Sequence, residues 1–254
     1  MTKPLTVLLA NPRGFCAGVD RAIAAVEDLR GVTQRPIYVR HEIIHNARVV
    51  DDMRRRGVHF VDAISEIPDE AVTVFSAHGV SRAVEDEAQA RGLDVIDATC
   101  PLVRRVHVEG RRHAREGRAV IVIGHREHVE VEGILGQIEG ETHVVAGRAD
   151  VAALEVSDPQ RLAYVTQTTL SVDDTRDIIA ALKARVRARG RGALRSSGSA
   201  SDVVNEAVLK VLKAAGRPRF DDPAGLRAYL WRAAERLLID RMRRRPGPGT
   251  AAYS

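Results

Sequence analysis

Residues 119–130 read Ala-Val-Ile-Val-Ile-Gly-His-Arg-Glu-His-Val-Glu, and this stretch decides the fold class. The first five residues are apolar and mostly β-branched, which predicts a strand at 119–123. Glycine, histidine and glutamate follow, so polar side chains are expected where that strand ends. Strands that alternate with helices form parallel sheets, and such sheets bind ligands beyond the carboxyl ends of their strands.

The same pattern recurs between Pro4 and about Ala184. Short apolar runs predict strands at 5–10, 36–39, 72–75, 94–96, 119–123, 142–145 and 162–166. Apolar residues at helical spacing predict helices at 18–29, 44–55, 81–90, 102–115, 130–138 and 172–187. This alternation predicts βαβ units and an α/β fold with mostly parallel sheets.

Polar segments follow three of these strands and are expected to meet at one crevice. They read Ser-Ala-His-Gly at 76–79, Gly-His-Arg-Glu-His-Val-Glu at 124–130 and Gln-Thr-Thr-Leu-Ser at 167–171. Imidazoles, hydroxyls and helix N-terminal amides suit a phosphate or diphosphate, and Gly79 or Gly18 would let the backbone approach it. For one histidine an ordinary surface or core role is the simpler interpretation, but the set favours an anion site.

Several residues in or near these segments suggest more specific chemistry. Glu130 lies two residues beyond His128 and is a candidate proton donor if burial or a nearby anion raises its pKa. His41 and His45 lie four apart and would share one helix face, which permits a metal pair, but no third ligand at suitable spacing supports zinc. Helix capping explains two other polar residues equally well, Ser171 and Asp173.

The chain contains two cysteines, and each lies in an unusual motif. Cys16 belongs to Asn-Pro-Arg-Gly-Phe-Cys-Ala-Gly-Val-Asp at 11–20, and Cys100 to Asp-Ala-Thr-Cys-Pro-Leu-Val at 97–103. Each follows an apolar run and is expected at the end of a strand. From spacing alone, inert buried thiols are the simpler interpretation, although a reducing cytoplasm favours metal ligands or free thiols over a disulfide.

Length and composition indicate a globular protein, with 254 residues, 44% hydrophobic and 29% charged. No apolar stretch approaches the ~20 residues of a membrane span, and no signal peptide is recognisable, so a cytoplasmic protein without a membrane partner is expected. Residues 184–254 carry 16 Lys plus Arg and 6 Asp plus Glu, a net of +10, whereas residues 1–183 carry 23 and 28, a net of −5. Residues 185–201, rich in Gly, Ser and Arg, form a linker by composition.

Six motifs in this order closely resemble the 4-hydroxy-3-methylbut-2-enyl diphosphate reductases, the last enzymes of the methylerythritol phosphate route to isoprenoids. They read NPRGFCAGVDRAI, YVRHEIIHN, FSAHGVS, DATCPLV, GHREHVEVEG and TQTTLSVDDT. The resemblance covers approximately residues 5–186. It implies similar α/β lobes, three in the family, around a central 4Fe-4S cluster to which each lobe gives one cysteine.

The resemblance also implies roles for individual residues. Cys16 and Cys100 would ligate the cluster, and His45, His78 and His128 would contact the diphosphate. Glu130 would supply a proton to the leaving hydroxyl, and Thr168 would help to hold that hydroxyl. The implied substrate is an allylic diphosphate, reduced with two electrons from a donor such as ferredoxin or flavodoxin to isopentenyl and dimethylallyl diphosphates.

The chain also departs from the family pattern. Val129 stands where the family has a proline, which is expected to loosen the turn that aims Glu130. The resemblance ends near Val186, so the third lobe, its cysteine and a serine- and asparagine-rich diphosphate motif are absent. An impaired, truncated enzyme with exposed apolar lobe surface is therefore expected.

The basic tail shows a different pattern. Apolar residues at helical spacing predict helices at 202–213 and from 223 to about 242. The stretch at 201–245 resembles region 2 of extracytoplasmic-function sigma factors, which implies RNA polymerase or DNA as a partner. Stacking on bases and phosphate contacts are expected from Tyr229, Trp231, Arg232, Arg236 and Arg241. A small helical hairpin with a solvated basic end is the simpler alternative.

These patterns predict five segments along the chain. They are a first α/β lobe at 1–98, a second at 99–186, a linker at 187–200, a sigma-like helical segment at 201–245 and a disordered end at 246–254. The favoured function is an impaired iron-sulfur reductase. The alternatives are an inactive composite of two truncated genes or an artificial sequence, and a polymerase- or DNA-binding module.

Overall fold

The computed structural model describes residues 14–188 and 195–196. Residues Gly18–Ser201 form one compact unit of the chain. The strand predicted at 5–10 and the tail predicted at 201–254 lie outside the described residues. No helix of the described part is long and apolar enough to cross a membrane.

Four parallel strands form the first sheet, and the part of the chain that carries it, residues 18–98, is here called the first lobe. The strands are β1 (Ile37–Arg40), β2 (Val58–Val61), β3 (Val72–Phe75) and β4 (Asp94–Asp97), in the spatial order β2-β1-β3-β4. The helices are α1 (Ala17–Val32), α2 (Ala47–Arg55) and α3 (Arg82–Ala90), with a 3-10 turn at Ile64–Glu66. The inner strand β3 is buried along its whole length.

The second lobe, residues 99–188 with 195–196, repeats this topology. Its strands are β5 (Ala119–Ile123), β6 (Thr142–Val145), β7 (Leu162–Thr166) and β8 (Arg195–Ser196), again parallel and in the order β6-β5-β7-β8. Its helices are α4 (Pro101–Arg115), α5 (Val129–Gln137), α6 (Arg148–Ala153) and α7 (Val172–Ala188). The predicted α/β class with mostly parallel sheets is confirmed.

The apolar stretch that decides the fold class lies at the centre of the second lobe. Ile121 and Ile123 of β5 are fully buried against Val145 and Leu182, on one face of the sheet. Val120 and Val122 project to the other face, because neighbouring strand residues alternate sides, and join a separate cluster. Truncating such a buried isoleucine to alanine typically costs about 2–5 kcal/mol, so this strand anchors the loop that follows it.

The residue pattern does not predict four elements, which are β2, the 3-10 turn, α6 and β8. The helix expected at 44–55 begins at Ala47, because the side chain of Asn46 accepts a hydrogen bond from the Val49 N–H at 3.2 Å and caps it. His41, with a φ of 58°, and His45 both precede the helix. The expectation that they share a helix face is therefore wrong.

The two lobes meet where α5 approaches the segment after β3. The Gln137 side chain donates from Nε2 to the Val80 carbonyl at 2.9 Å. A Cβ on Gly136 would overlap Ser81, and a Cβ on Gly133 would lie 3.4 Å from the Gly79 carbonyl oxygen. The helix is thus close enough to the first lobe that glycine is required at the tightest contact. This contact sets the ends of β3 and β5 side by side.

Candidate active site

Three histidines from both lobes form one cluster. His45 follows β1, His78 follows β3 and His128 follows β5, so each lies beyond the carboxyl end of a parallel strand. The ring centroids of His45 and His78 are 4.1 Å apart, those of His45 and His128 are 4.8 Å apart, and those of His78 and His128 are 5.9 Å apart. The sequence prediction that these segments converge agrees with this placement.

The hydrogen bonds of His128 determine which ring nitrogens carry protons. His128 caps α5, because its Nδ1 accepts the backbone N–H of Glu130 at 3.0 Å. The neutral His128 ring must then carry its proton on Nε2, which lies 3.0 Å from Nε2 of His45. Nε2 of His45 accepts this hydrogen bond from His128. Nδ1 of His45 is then the N–H donor of that ring, and it lies 3.4 Å from a carboxylate oxygen of Glu42.

Burial disfavours the charged forms of two of these histidines, His78 and His128. Desolvation, followed by the neighbouring His45 and His128 rings, lowers the pKa of His78 to about 3. Desolvation also lowers the pKa of His128, with His45 and His125 adding to the effect. Nδ1 of His78 lies 3.2 Å from the hydroxyl of Ser76, which fixes the ring. An anion placed among these rings would favour their protonated forms and reverse the shift.

Glu130 and Thr168 form a second part of the site. The Glu130 side chain is 1% exposed, and burial raises its pKa to about 7 although hydrogen bonds from Thr168 oppose the rise. One carboxylate oxygen accepts the Thr168 N–H at 2.6 Å, and the other accepts the Thr168 hydroxyl at 2.9 Å. A carboxyl group that ionises near neutral pH is suited to general acid catalysis.

Cys100 lies beside the histidine segment of the first lobe. It precedes α4 directly as the N-cap residue, with Pro101 at the first helical position. Its N–H donates to the Ala77 carbonyl at 2.9 Å, which holds it next to His78. Cys16 precedes α1, is exposed, and lies outside the compact unit that contains Cys100. Neither thiol is part of a disulfide in the described residues.

The number of thiols can be compared with the number of ligands that the implied iron-sulfur cluster needs. Such clusters are held by cysteine thiolates, and the resemblance implies three of them, whereas the sequence contains two. In the part of the chain described by the structure, no group of three or more histidine, cysteine or acidic residues could hold a metal ion. The donor set of this chain alone therefore does not fit the cluster.

Other predicted residues have structural contacts instead. Ser171 accepts the Asp174 N–H at 3.1 Å at the start of α7, and Asp173 pairs with Arg176 at 3.0 Å, so capping and surface pairing explain them. A Cβ on Gly79 would meet the buried ring of His107 at 2.7 Å, so this glycine makes room for α4. Gly18 is buried within α1. The tail residues of interest, Tyr229, Trp231, Arg232, Arg236 and Arg241, lie outside the described residues.

Ser76 and Gln167 lie within the polar segments that the sequence singles out, but no role is predicted for either residue. Each directly follows an inner strand, and each is buried, at 1% and 3% exposure. A buried polar side chain must find partners close by, so a polar residue directly after a mostly apolar strand is the signal that could have identified each of them.

Two protein families match different parts of the chain. Residues 7–206 match the LytB protein family, and residues 178–246 match Sigma-70 region 2. The first match continues beyond residue 186, where the recognisable motifs end. The second confirms the resemblance noted for the tail. The two matches overlap in the region that includes the end of α7 and β8.

Curated relatives and solved structures give the same assignment. The 4-hydroxy-3-methylbut-2-enyl diphosphate reductases of Acinetobacter baumannii (strain AYE) and Marinobacter nauticus are 57% and 56% identical over 185 residues, which is 71% of this chain and 58% of each relative. The chain thus spans about 58% of the length of these relatives. The E-1-hydroxy-2-methyl-but-2-enyl-4-diphosphate reductase of Plasmodium falciparum superposes with a TM-score of 0.70 at 34% identity, covering 93% of this chain and 73% of that one.

A second solved structure is similar as well. It is an (E)-4-hydroxy-3-methyl-but-2-enyl diphosphate reductase, described as the terminal enzyme of the non-mevalonate pathway, with a TM-score of 0.64, 27% identity and coverage of 91% of this chain and 82% of that one. The family match, the curated relatives and the solved structures all indicate the same family. This chain belongs to the LytB protein family.

Proposed function

We propose that this chain carries the diphosphate-binding and proton-donating part of a 4-hydroxy-3-methylbut-2-enyl diphosphate reductase of isoprenoid biosynthesis, and that its reductase activity is impaired. One observation carries the proposal: the imidazoles of His45, His78 and His128 cluster at the strand ends, in the same lobe junction as the buried Glu130–Thr168 pair. The proposal includes a cytoplasmic location, as expected from the sequence.

The histidine cluster suits the diphosphate group. Neutral imidazoles present ring N–H donors, and they gain charge when an anion is placed beside them. Burial lowers the pKa of His78 to about 3 and also lowers the pKa of His128, and a diphosphate beside these rings is expected to shift both pKa values upward. Charge-assisted hydrogen bonds then hold the phosphate oxygens more strongly than neutral ones.

Glu130 suits the loss of the substrate hydroxyl. The overall reaction adds two electrons and two protons to the allylic alcohol, breaks its C–O bond and releases water, which leaves isopentenyl or dimethylallyl diphosphate. Glu130, protonated up to a pH near its pKa of about 7, can supply one proton to the departing oxygen. The Thr168 hydroxyl, which donates a hydrogen bond to Glu130, is expected to contact the same oxygen.

Impairment follows from the thiols. A 4Fe-4S cluster is the group that accepts electrons from a donor such as ferredoxin or flavodoxin in the family. With two cysteines on the chain, a third ligand has to come from another chain, a histidine or an added thiol. Reductase turnover is therefore expected to be low or absent.

The experiment is anaerobic reconstitution with iron and sulfide, followed by analysis of both elements per chain and the electronic spectrum. Wild type is compared with Cys16→Ser and Cys100→Ser. Substrate-dependent oxidation of a reduced viologen dye then measures reductase activity. Little iron and little dye oxidation are expected. Near four irons per chain, lost in either variant, together with rapid turnover, would contradict the proposed impairment.

A second candidate function rests on the match of residues 178–246 to Sigma-70 region 2. The proposal is a polymerase- or DNA-binding segment in which Tyr229 and Trp231 stack on unpaired bases and the arginines contact phosphates. Fluorescence anisotropy with a single-stranded promoter-like DNA should show binding that weakens steeply with salt and is reduced by Trp231→Ala. No binding at low salt would remove this candidate.

The remaining alternative is a composite chain that has neither activity. It predicts no cluster, no dye oxidation and no DNA binding, whereas pyrophosphate could still bind at the histidine cluster. The iron analysis and the anisotropy measurement together separate it from the other two.

A further inference from the structure

Gln167 joins the two loops that carry the acid and the hydroxyl of the candidate site. Its side-chain oxygen accepts the N–H of His125 at 2.9 Å, in the loop after β5. Its side-chain nitrogen donates to the hydroxyl oxygen of Thr169 at 2.8 Å, in the loop after β7. Its own N–H continues the sheet by donating to the Ile123 carbonyl at 2.8 Å.

The surroundings leave this side chain little freedom. Gln167 is 3% exposed, so both ends of its amide need partners within the protein. A Cβ on Gly124 would lie 3.0 Å from the Gln167 side-chain oxygen and 2.6 Å from a methyl group of Val131. Glycine at position 124 therefore provides the space through which the amide reaches the loop after β5.

The bridge directly borders the Glu130–Thr168 pair. Thr168 lies between Gln167 and Thr169, and it donates both its N–H and its hydroxyl to Glu130. Gln167 fixes the residues on either side of Thr168 in the chain, through its own backbone and through the Thr169 hydroxyl. The position of both donors against the carboxylate thus depends on the bridge.

We propose that Gln167 is a positioning residue, which holds Thr168 against Glu130 by tying the loop after β7 to the loop after β5. Its contribution to catalysis rests on the proposed function, but its structural effect does not. Hydrogen bonds from Thr168 favour the ionised carboxylate, so the bridge limits the rise in pKa that burial imposes on Glu130.

The test is the titration of Glu130, followed by ¹³C NMR of the side-chain carboxyl in the full-length chain and assigned with Glu130→Gln. Gln167→Met keeps the size of the side chain and removes both hydrogen bonds. It is expected to raise the pKa of Glu130 by roughly one unit, because the Thr168 donors are no longer held in place. The measurement needs neither substrate nor cluster, so its outcome is independent of the proposed reductase activity.

A matched control separates positioning from general destabilisation. Gln137 is also buried, at 2% exposure, and connects the two lobes away from the Gln167 bridge. Its side-chain nitrogen donates to the Val80 carbonyl and to the Glu85 carboxylate of the first lobe. Gln137→Met should lower the free energy of unfolding to a similar extent but leave the titration of Glu130 where it is in wild type. Equal titration shifts in both variants would overturn the proposal.

A milder variant covers the case in which Gln167→Met does not fold. Thr169→Val replaces an exposed residue and removes only the acceptor of the Gln167 amide. It should raise the pKa of Glu130 by a smaller amount than Gln167→Met. If both variants fold and Glu130 titrates in each as it does in wild type, the bridge does not position Thr168. If Gln167→Met does not fold, a wild-type titration of Glu130 in Thr169→Val leads to the same conclusion.

Discussion

The two lobes use one topology to present different chemistry. Both sheets have the same strand order, and in both the residue after the first strand donates its N–H to the last residue of the second, His41 to Val61 at 2.8 Å and Gly124 to Val145 at 3.1 Å. The first lobe then presents imidazoles at its strand ends. The second presents an imidazole together with a carboxyl and a hydroxyl group.

The difference is clearest at the first helix after each leading strand. In the first lobe Asn46 caps α2, and His45 beside it is free to face the cluster. In the second lobe His128 does both, because its Nδ1 caps α5 and its Nε2 faces His45. The cap leaves the proton of the neutral His128 ring on Nε2, so the second lobe sets the hydrogen bond that His128 offers to His45.

The inner strands show a parallel contrast. Ser76 follows β3 and contacts His78 two residues later, whereas Gln167 follows β7 and contacts Thr169 two residues later. The longer glutamine also reaches the neighbouring loop at His125. The second lobe thus has a cross-loop connection beside its acid that the corresponding serine is too short to make.

The largest effect is expected from Glu130→Gln, which removes the acid that distinguishes the second lobe. Any reductase turnover should fall by about 10²–10⁴-fold. An unfolded glutamate ionises near 4.5, whereas the fold raises the pKa of Glu130 to about 7, so the folded state binds more protons between these values. Stability therefore falls as pH rises through this window, by about 3 kcal/mol in all.

Glu130→Gln should abolish this loss, which denaturant unfolding at several pH values measures. Glu132→Gln on the same helix is the control, because its side chain is 55% exposed and should leave the pH slope as in wild type. If the free energy of unfolding of Glu130→Gln changes with pH as it does in wild type, Glu130 ionises in the folded protein much as it does in the unfolded chain.

Gly136→Ala tests whether the lobes must approach so closely. The new methyl group would overlap Ser81 of the first lobe, which should lower the free energy of unfolding by about 1–3 kcal/mol. Gly31→Ala is a matched helical control with no atom within 4 Å of the added methyl, and it should stabilise by about 0.5–1 kcal/mol. If both substitutions stabilise equally in denaturant unfolding, the lobe contact is looser than described.

His128→Asn makes the second lobe resemble the first at its helix cap. Asparagine is a good N-cap residue, so the free energy of unfolding should stay within about 0.5 kcal/mol of wild type. Pyrophosphate affinity, measured by calorimetry, should fall about tenfold because one imidazole of the cluster is lost. An unchanged affinity would mean that His128 acts only as the cap.

The smallest effect is expected for the ion pair between the lobes. Arg40 contacts Glu132 at 3.1 Å, and the Arg40 side chain is 10% exposed while that of Glu132 is 55% exposed. Glu132→Gln should cost about 0.5–1 kcal/mol at low salt and less at high salt. Asp51→Asn, which breaks the exposed Arg54 pair, is the comparison and should cost less. Equal costs would show that the lobe junction does not shield its pair.

The sequence predicts most strands of this fold from local apolar runs. The apolar runs of β3, β5, β6 and β7 lie where the pattern predicts them. Val58–Val61 is as long as β3 but is not predicted, and its parallel pairing with β1, which no local pattern shows, is what identifies it as a strand. The start of α2 is predicted too early because Ile43 and Ile44 are buried in the loop that precedes it.

The site is predictable in its residues but not in its connections. Strand-end positions single out His78 and His128, because parallel strands end at the same edge, whereas His45 is expected in a helix and is named only through the family resemblance. The tautomer chain and the Gln167 bridge depend on contacts between loops far apart in sequence, at 3.0 Å and 2.9 Å, which no local pattern specifies. For the two thiols the local motifs are specific, but the sequence contains only two of the three cysteines that the implied cluster needs.

The most direct test of the central claim is a calorimetric titration of the full chain with pyrophosphate, near neutral pH, in buffers of different ionisation enthalpy. A single diphosphate site built from the histidines of both lobes predicts binding with net proton uptake, and both affinity and uptake should fall when His45→Asn and His128→Asn are combined. Binding that is the same in the double variant would contradict a shared histidine site.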